Sequence, residues 1–422
     1  MQTVESPANP TLVADDLFRR EGARLVASLA AHLGTHRLQL AEDVVQEALV
    51  RALQTWPYRG IPENPAAWLT QAAKNLAYDA LRREQNWHRK EAQITVEQER
   101  WLSRGEPADE HELSDDTLRM LFVCFHPQLS IEAQLALALR TVCGLSPAEI
   151  GAAFLTSEAA IAKRLVRARQ LIRDLQLPFA VPDASELPQR LDGVLAALYL
   201  LFNEGYKASS GDRLVREELC HEAIRLARIL SEHSSTTLPT AKALLALMCL
   251  NAARLSARVN ASGEIVRLHH QDRSQWDSAL IQEGILALGA ASTGDVISPY
   301  HIEAGIAACH CLAPDESSTD WSRILLLYDQ LLELKPTPIV AMNRSVALSR
   351  VRGPGEALKA LESIPNRHSL EAQHLYHAIR ASFISKLGHP AEARAAYQLA
   401  AKLAPCEVER EFLQSQTGQD VQ

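Results

Sequence analysis

Between Leu145 and Arg173 the sequence reads LSPAEIGAAFLTSEAAIAKRLVRARQLIR, which commits the chain to two helices joined by a tight polar turn. Ser146 precedes Pro147 and has Glu149 three residues on, so Ser146 suits an N-cap and Pro147 the first helical turn. Ile150 and Phe154 then share a face. The turn offers a second cap in Thr156 or Ser157, after which Ile161, Leu165, Ala168 and Ile172 form one apolar stripe. Lys163, Arg164, Arg167, Arg169 and Arg173 lie off that stripe. A helix-turn-helix of this kind meets base edges with the start of its second helix and phosphates with its later cations. Ser157, Glu158, Ala160, Lys163 and Arg164 are therefore expected near bases, and Arg167 and Arg169 on phosphates. A helical hairpin with a solvated basic face would show the same residues, so the motif needs a second witness.

That witness lies upstream. Val44, Val45, Ala48, Leu49, Ala52, Leu53 and Trp56 recur at helical spacing and leave Glu42, Asp43, Gln46, Glu47 and Arg51 on the polar side. A loop from Pro57 to Asn64 follows. Asn64 and Pro65 suit the cap and first position of a helix running from Ala66 to Arg83. On it Asn75, Asp79 and Arg83 are spaced four apart, with Lys74 and Arg82 alongside. Trp56 and Trp68 lie on apolar stripes and are expected to pack in the core.

The strings AEDVVQEALVRALQTW and NPAAWLTQAAKNLAYDALRRE, then the helix-turn-helix ending KRLVRAR, resemble an extracytoplasmic-function sigma factor of bacterial RNA polymerase. The resemblance implies that Asp43, Gln46 and Glu47 dock on core polymerase. Tyr58, Arg59, Asn64, Lys74, Asn75, Asp79, Arg82 and Arg83 would then serve the minus-ten element. The helix-turn-helix would read the minus-thirty-five element. An unstacked base needs a pocket with polar edges, and an exposed strand needs cations and aromatic faces; these residue types supply both. Ala159, Ala160 and Ala162 stand where many relatives have polar residues or glycine, leaving base preference open.

Charge refines this reading. The chain has 422 residues and a net charge of −8. Up to Pro178 there are 20 Lys+Arg against 23 Asp+Glu, and beyond it 23 against 28. Neither part is a basic polyelectrolyte, so affinity for free DNA should be weak and promoter reading should depend on polymerase. The expected organisation is residues 1–92 for the first module, 93–116 for an acidic linker, 117–177 for the helix-turn-helix module and 178–422 for a helical extension. The chain is expected to be all-α.

The extension should hold helices at about 214–232, 237–259, 274–292, 299–313 and 319–334 after an apolar helix from Leu187 to Phe202. Near its end Ala381, Ala393, Tyr397, Ala400 and Pro405 match a tetratricopeptide-like repeat, with a fainter copy through Ser345, Ala357 and Leu361 at an offset of 36 residues. The runs LYLLFNEGY, QDRSQWD, PYHIEAGIAACH, AMNRSVAL and GPGEAL resemble the C-terminal domain of the sigma-factor subgroup with such an extension. That resemblance implies a domain needed for, or regulating, sigma activity; a protein or a small molecule is the expected class of partner for it.

Glu204, Tyr206, Asp272, Arg273, Trp276 and Asp277, with His269, His270 and His310 nearby, are candidates for a regulatory or interdomain role; helix caps and buried hydrogen-bonded pairs are the competing explanation. No catalytic residue, metal or cofactor is expected, since phosphate loops, zincin patterns and nucleophile elbows are missing. Cys309-His310-Cys311 has no second pair of ligands to complete a metal site. The seven cysteines should be reduced and buried. Neither a signal peptide nor a membrane span is legible, so a cytoplasmic protein without a membrane partner is expected. Two other readings stay open: a helix-turn-helix regulator independent of polymerase with a ligand-sensing repeat domain, and a repeat-domain enzyme or scaffold targeted by the N-terminal modules.

Overall fold

A computed structural model describes residues 21–87, 110–154, 156–183, 185–206, 215–260, 265–405 and 407–418. The described residues form nineteen α-helices and no strand, as expected of an all-α chain. A single antiparallel bridge joins Val259 and Ile265. The chain divides into two compact units, Met1–Ala197 and Leu198–Gln422.

The first unit holds α1 (Ala23–Leu33), α2 (Leu38–Arg59), α3 (Pro65–Trp87), α4 (Glu110–Cys124), α5 (Ile131–Thr141), α6 (Pro147–Ala153), α7 (Glu158–Leu175) and the start of α8 (Leu187–Tyr206). Leu25, Leu29 and Leu33 of α1 are buried, and that helix packs on α2 and α4, where Leu118, Leu121 and Phe122 are also buried. Trp56 is buried, the core packing expected of it, whereas Trp68, also expected in the core, is half-buried and meets Trp56 in a T-shaped contact with ring centroids 5.6 Å apart. The loop expected from Pro57 begins only at Gly60, because Pro57 sits inside the last turn of α2. There the helix ends with Gly60 at φ 82°, a conformation that favours glycine.

Two expected boundaries move. The acidic stretch expected as linker to residue 116 is already helical from Glu110, where α4 starts; residues 93–109 lie outside the described residues. The division expected after residue 177 falls at Ala197, inside α8. Arg190 explains why: its guanidinium donates to the carbonyl oxygens of Phe125, at 3.2 Å, and Phe122, so the first turns of α8 cap the end of α4.

The second unit continues with α9 (Glu217–Glu232), α10 (Pro239–Ala252), α11 (Ser278–Ala291), α12 (Pro299–Leu312), α13 (Trp321–Leu334), α14 (Pro338–Arg352), α15 (Pro354–Glu362), α16 (His368–Glu371), α17 (His374–Lys386), α18 (Pro390–Leu403) and α19 (Glu407–Gly418). The helix expected over 237–259 stops at Ala252 and gives way to a 3-10 turn at Leu255–Ala257. It is apolar on all sides and packs on α9, α11 and α12, as a central core helix must. Gly284 lets α11 approach it, since a Cβ there would fall 2.7 Å from Leu250 Cγ.

Farther along, α13 packs on α14, α14 on α15, α15 on α17, α17 on α18 and α18 on α19. The starts of α14 and α17, Pro338 and His374, are 36 residues apart, as are those of α15 and α18, Pro354 and Pro390. Ser345, Ala357 and Leu361 are buried, and so are their counterparts Ala381, Ala393 and Tyr397. Small side chains at Ser345, Ala357, Ala381 and Ala393 let neighbouring helices pack closely, and Leu361 and Tyr397 fill the space beside them.

Candidate nucleic-acid and polymerase interfaces

The helix-turn-helix is built by local chemistry. Ser146 N–H donates to Glu149 Oε2 at 2.7 Å, and Glu149 N–H donates to Ser146 Oγ at 3.2 Å, a reciprocal capping box. The turn needs Gly151: a Cβ there would lie 2.8 Å from the backbone oxygen of Thr156. Of the two cap candidates it is Ser157 that serves, its Oγ accepting from Ala160 N–H at 3.2 Å. Ile161, Leu165, Ala168 and Ile172 are the buried stripe of α7. On the open side Ser157, Glu158, Lys163, Arg167 and Arg173 are exposed, with Ala160 and Arg164 half-buried. The start of α7 and its cations therefore stand together on one accessible surface.

Arg169 departs from that surface. Its guanidinium is 11% exposed and forms an ion pair with Glu42, which was expected on the polar front of α2 and is instead 6% exposed. Thr141 of α5 donates its hydroxyl to the other oxygen of Glu42 at 2.8 Å. The carboxylate is thus held by groups from α5 and α7, and its pKa is raised because burial outweighs the pull of Arg169 and the Thr141 hydrogen bond. Nearby, Thr35 donates its hydroxyl to the backbone oxygen of Leu177 at 2.5 Å. The first and second modules are joined through buried polar contacts. In this conformation Arg169 is directed to Glu42, not to a phosphate.

The rest of the acidic face of α2 is open. Asp43 and Glu47 are exposed and Gln46 is half-buried. Gln39 donates to Asp43 Oδ1 and Arg51 to Glu47 Oε1, each at 2.7 Å. Leu53, expected inward, is 36% exposed, and Val50 beside it is 48% exposed, which gives this face an apolar component.

At the other end of α2, Tyr58 is 89% exposed, an unusual setting for an aromatic ring unless it has a partner to stack on. Arg59 and Asn64 are exposed too, and Asn64 caps α3 by accepting from Ala67 N–H at 3.0 Å. On α3, Asn75, Asp79, Arg82 and Arg83 are exposed along one stripe. Gln71 donates to Asn75 Oδ1 at 2.9 Å. Lys74 is the exception: at 3% exposure it is turned into the module, so the expected place beside the stripe is not where the structure puts it. Spacing alone could not distinguish it from Asn75.

In the second unit the candidate regulatory residues are engaged internally. Glu204 lies 3.8 Å from Arg216. The Tyr206 ring stacks on Phe202 and lies under Arg258, 3.6 Å from the ring centre. Asp272 and Asp277 are caps, accepting from Ser274 N–H and from Ala279 and Leu280 N–H. Arg273 donates to the backbone oxygens of His310 and Ala313 at the end of α12 and to Thr319 Oγ1. Trp276 is buried. His269 and His270 are exposed, their rings adjacent but tilted by 59°, while His310 is buried against the edge of Trp321. Caps and buried pairs thus account for most of this set.

No disulfide joins the described cysteines, of which Cys124, Cys143, Cys220 and Cys249 are buried and Cys309 and Cys311 half-buried. Burial pushes the Cys249 thiol up to about 12 and that of Cys311 to about 11, which keeps both protonated and unreactive. No helix among the described residues is long and apolar enough to cross a membrane.

Comparison with known proteins agrees with this architecture. Residues 18–87 match Sigma-70 region 2, and residues 119–172 match Sigma-70, region 4. Residues 190–292 match a family of unknown function, DUF6596. The chain is 39% identical over 385 residues to the uncharacterized protein R00370 of Rhizobium meliloti (strain 1021), covering 90% of this chain and 89% of that protein. No solved structure matches. A helical pair of promoter modules in this order defines an RNA polymerase sigma factor of the extracytoplasmic-function type. The chain belongs to the sigma-70 family and to one family with the rhizobial protein; in this chain the stretch matching DUF6596 follows region 4.

Proposed function

We propose that this sigma factor docks on core polymerase through Asp43, Gln46 and Glu47. The exposed tip and stripe formed by Tyr58, Arg59, Asn64, Asn75, Asp79, Arg82 and Arg83 then engage the minus-ten element. Ser157, Glu158, Ala160, Lys163 and Arg164 read the minus-thirty-five element, with Arg167 on phosphate. Lys74 supports the minus-ten stripe from within its module, and Arg169 joins the phosphate contacts only once released from Glu42. The observation that carries this assignment is the exposed Tyr58 beside a polar stripe on α3, because a helix-turn-helix repressor has no use for a second surface suited to an unstacked strand.

The second unit, a tetratricopeptide-like array in this reading, modulates sigma activity. The 36-residue recurrence of helix starts supports the repeat, and the rhizobial match over both modules and the extension supports their acting as one chain. The test is promoter-specific transcription with purified core polymerase, comparing the full chain with one ending after Ala197, which retains Arg190 on the end of α4. A change in promoter output on truncation, in either direction, is expected; equal output from both proteins contradicts modulation.

A further inference from the structure

In the second unit the segment Ile265–His269 crosses a groove lined by α14, α17 and α19 and borders a half-open cavity of about 540 Å³. The crossing segment is fastened at both sides. Val266 N–H donates to Arg258 O at 2.8 Å, and Arg267 donates to Gln416 Oε1 at 2.9 Å while lying over the Phe412 ring. The cavity lies within the size range of small-molecule sites. Its walls are mostly apolar, with Leu268, Ile379, Phe383 and Phe412 among them.

The polar groups on those walls are unbalanced in sign. Arg267, Arg350 and Lys386 all line the space, whereas the lining carboxylate is Glu409, which lies 3.4 Å from His374 Nε2. Arg350 is paired with Glu316 at 2.9 Å, but the partner of Arg267 is a neutral amide. Lys386 forms no ion pair among the described residues. Its pKa is lowered by partial desolvation first and then by Arg350 and Arg267, with Glu316 pulling the other way, so positive charge predominates around it. Ser349 adds a second kind of evidence: it is 8% exposed, lines the same cavity, and its hydroxyl has no hydrogen-bond partner. Buried hydroxyls are ordinarily satisfied.

We propose that this cavity binds a small organic anion with an apolar body, its charged group held by Lys386 and Arg267 with Arg350 behind them, and a polar atom reaching Ser349. A carboxylate and a phosphate monoester share the required chemistry, since both accept several charge-assisted hydrogen bonds. The inference concerns binding alone and stands whether or not the second unit modulates transcription.

The test is calorimetric titration of the full chain with decanoate, naphthylacetate and decyl phosphate, with decanol and inorganic phosphate as probes of body and charge taken separately. At least one of the three amphiphilic anions is expected to bind saturably with one site per chain, and at least ten-fold more tightly than decanol or inorganic phosphate. Relative affinity for carboxylates and for decyl phosphate identifies the preferred headgroup. Lys386→Gln, an exposed position, should weaken that anion by about ten- to hundred-fold, the usual worth of a hydrogen bond to a charged group, while the melting temperature without ligand is unchanged. Ala378→Phe should put a ring into the cavity, narrow it and weaken binding. Failure of all three anions to saturate, decanol binding as tightly as they do, several sites per chain, or unaltered affinity in Lys386→Gln would each overturn the proposal.

Discussion

Arg167 and Arg169 are two residues apart on α7 yet meet different surroundings, and their variants should separate accordingly. Arg167 is exposed, so Arg167→Ala should weaken promoter binding by the holoenzyme at all promoters and lower the salt slope by about one phosphate contact. An unchanged slope removes Arg167 from the phosphate interface. Arg169→Ala instead strands a buried Glu42, and a broken buried pair costs about 3–5 kcal/mol. Urea unfolding should show that loss, with Glu42→Ala/Arg169→Ala losing less than the sum of the single variants.

His310 gives a pH signature in the other unit. Burial, then Arg254 and Arg273, lower its pKa from 6.5 to about 4. Folding therefore favours the neutral ring. This contribution is fully present above pH 6.5 and is lost as pH falls through about 4; it is on the order of a few kcal/mol. The melting temperature of His310→Gln should depend less on pH across that window than that of the parent. The caps at Asn64, Ser146 and Ser157 were legible in sequence because each depends on residues within three positions. The fates of Glu42 and Arg169 were not, since their partners lie 99 and 127 residues away.

At the scale of elements, amphipathic spacing located the helices well because one face of each must be buried whatever its neighbours are. It fails where a helix is apolar all round, as in α10, whose end at Ala252 is set by the turn that follows. It also misplaced the end of α2: proline was read as punctuation, yet Pro57 is accommodated in the last turn and Gly60 closes the helix. The open acidic face of α2 carries a direct consequence. Asp43→Arg should reduce association with core polymerase by at least ten-fold, a cost on the order of 1.4 kcal/mol, without lowering the melting temperature, because the side chain is exposed. Undiminished association in a polymerase-binding titration would place the docking face elsewhere.

For the whole molecule, net charge and architecture act together. With a charge of −8 the chain is a poor polyelectrolyte for free DNA, while α7 alone carries five cations against two carboxylates. The two-module order was legible because each motif is local and their sequence along the chain is distinctive. The buried contacts between modules, the division within α8 and the cavity under Ile265–His269 were not, since they arise only when distant segments meet. The most direct test of the account is transcription from a library of genomic fragments by purified core polymerase with and without the full chain, alongside DNA binding by the chain alone. The account predicts discrete new start sites that require both proteins, with free-chain binding to the same fragments weaker by orders of magnitude. Tight, sequence-specific binding by the chain alone, with no start site gained when polymerase is present, would contradict it.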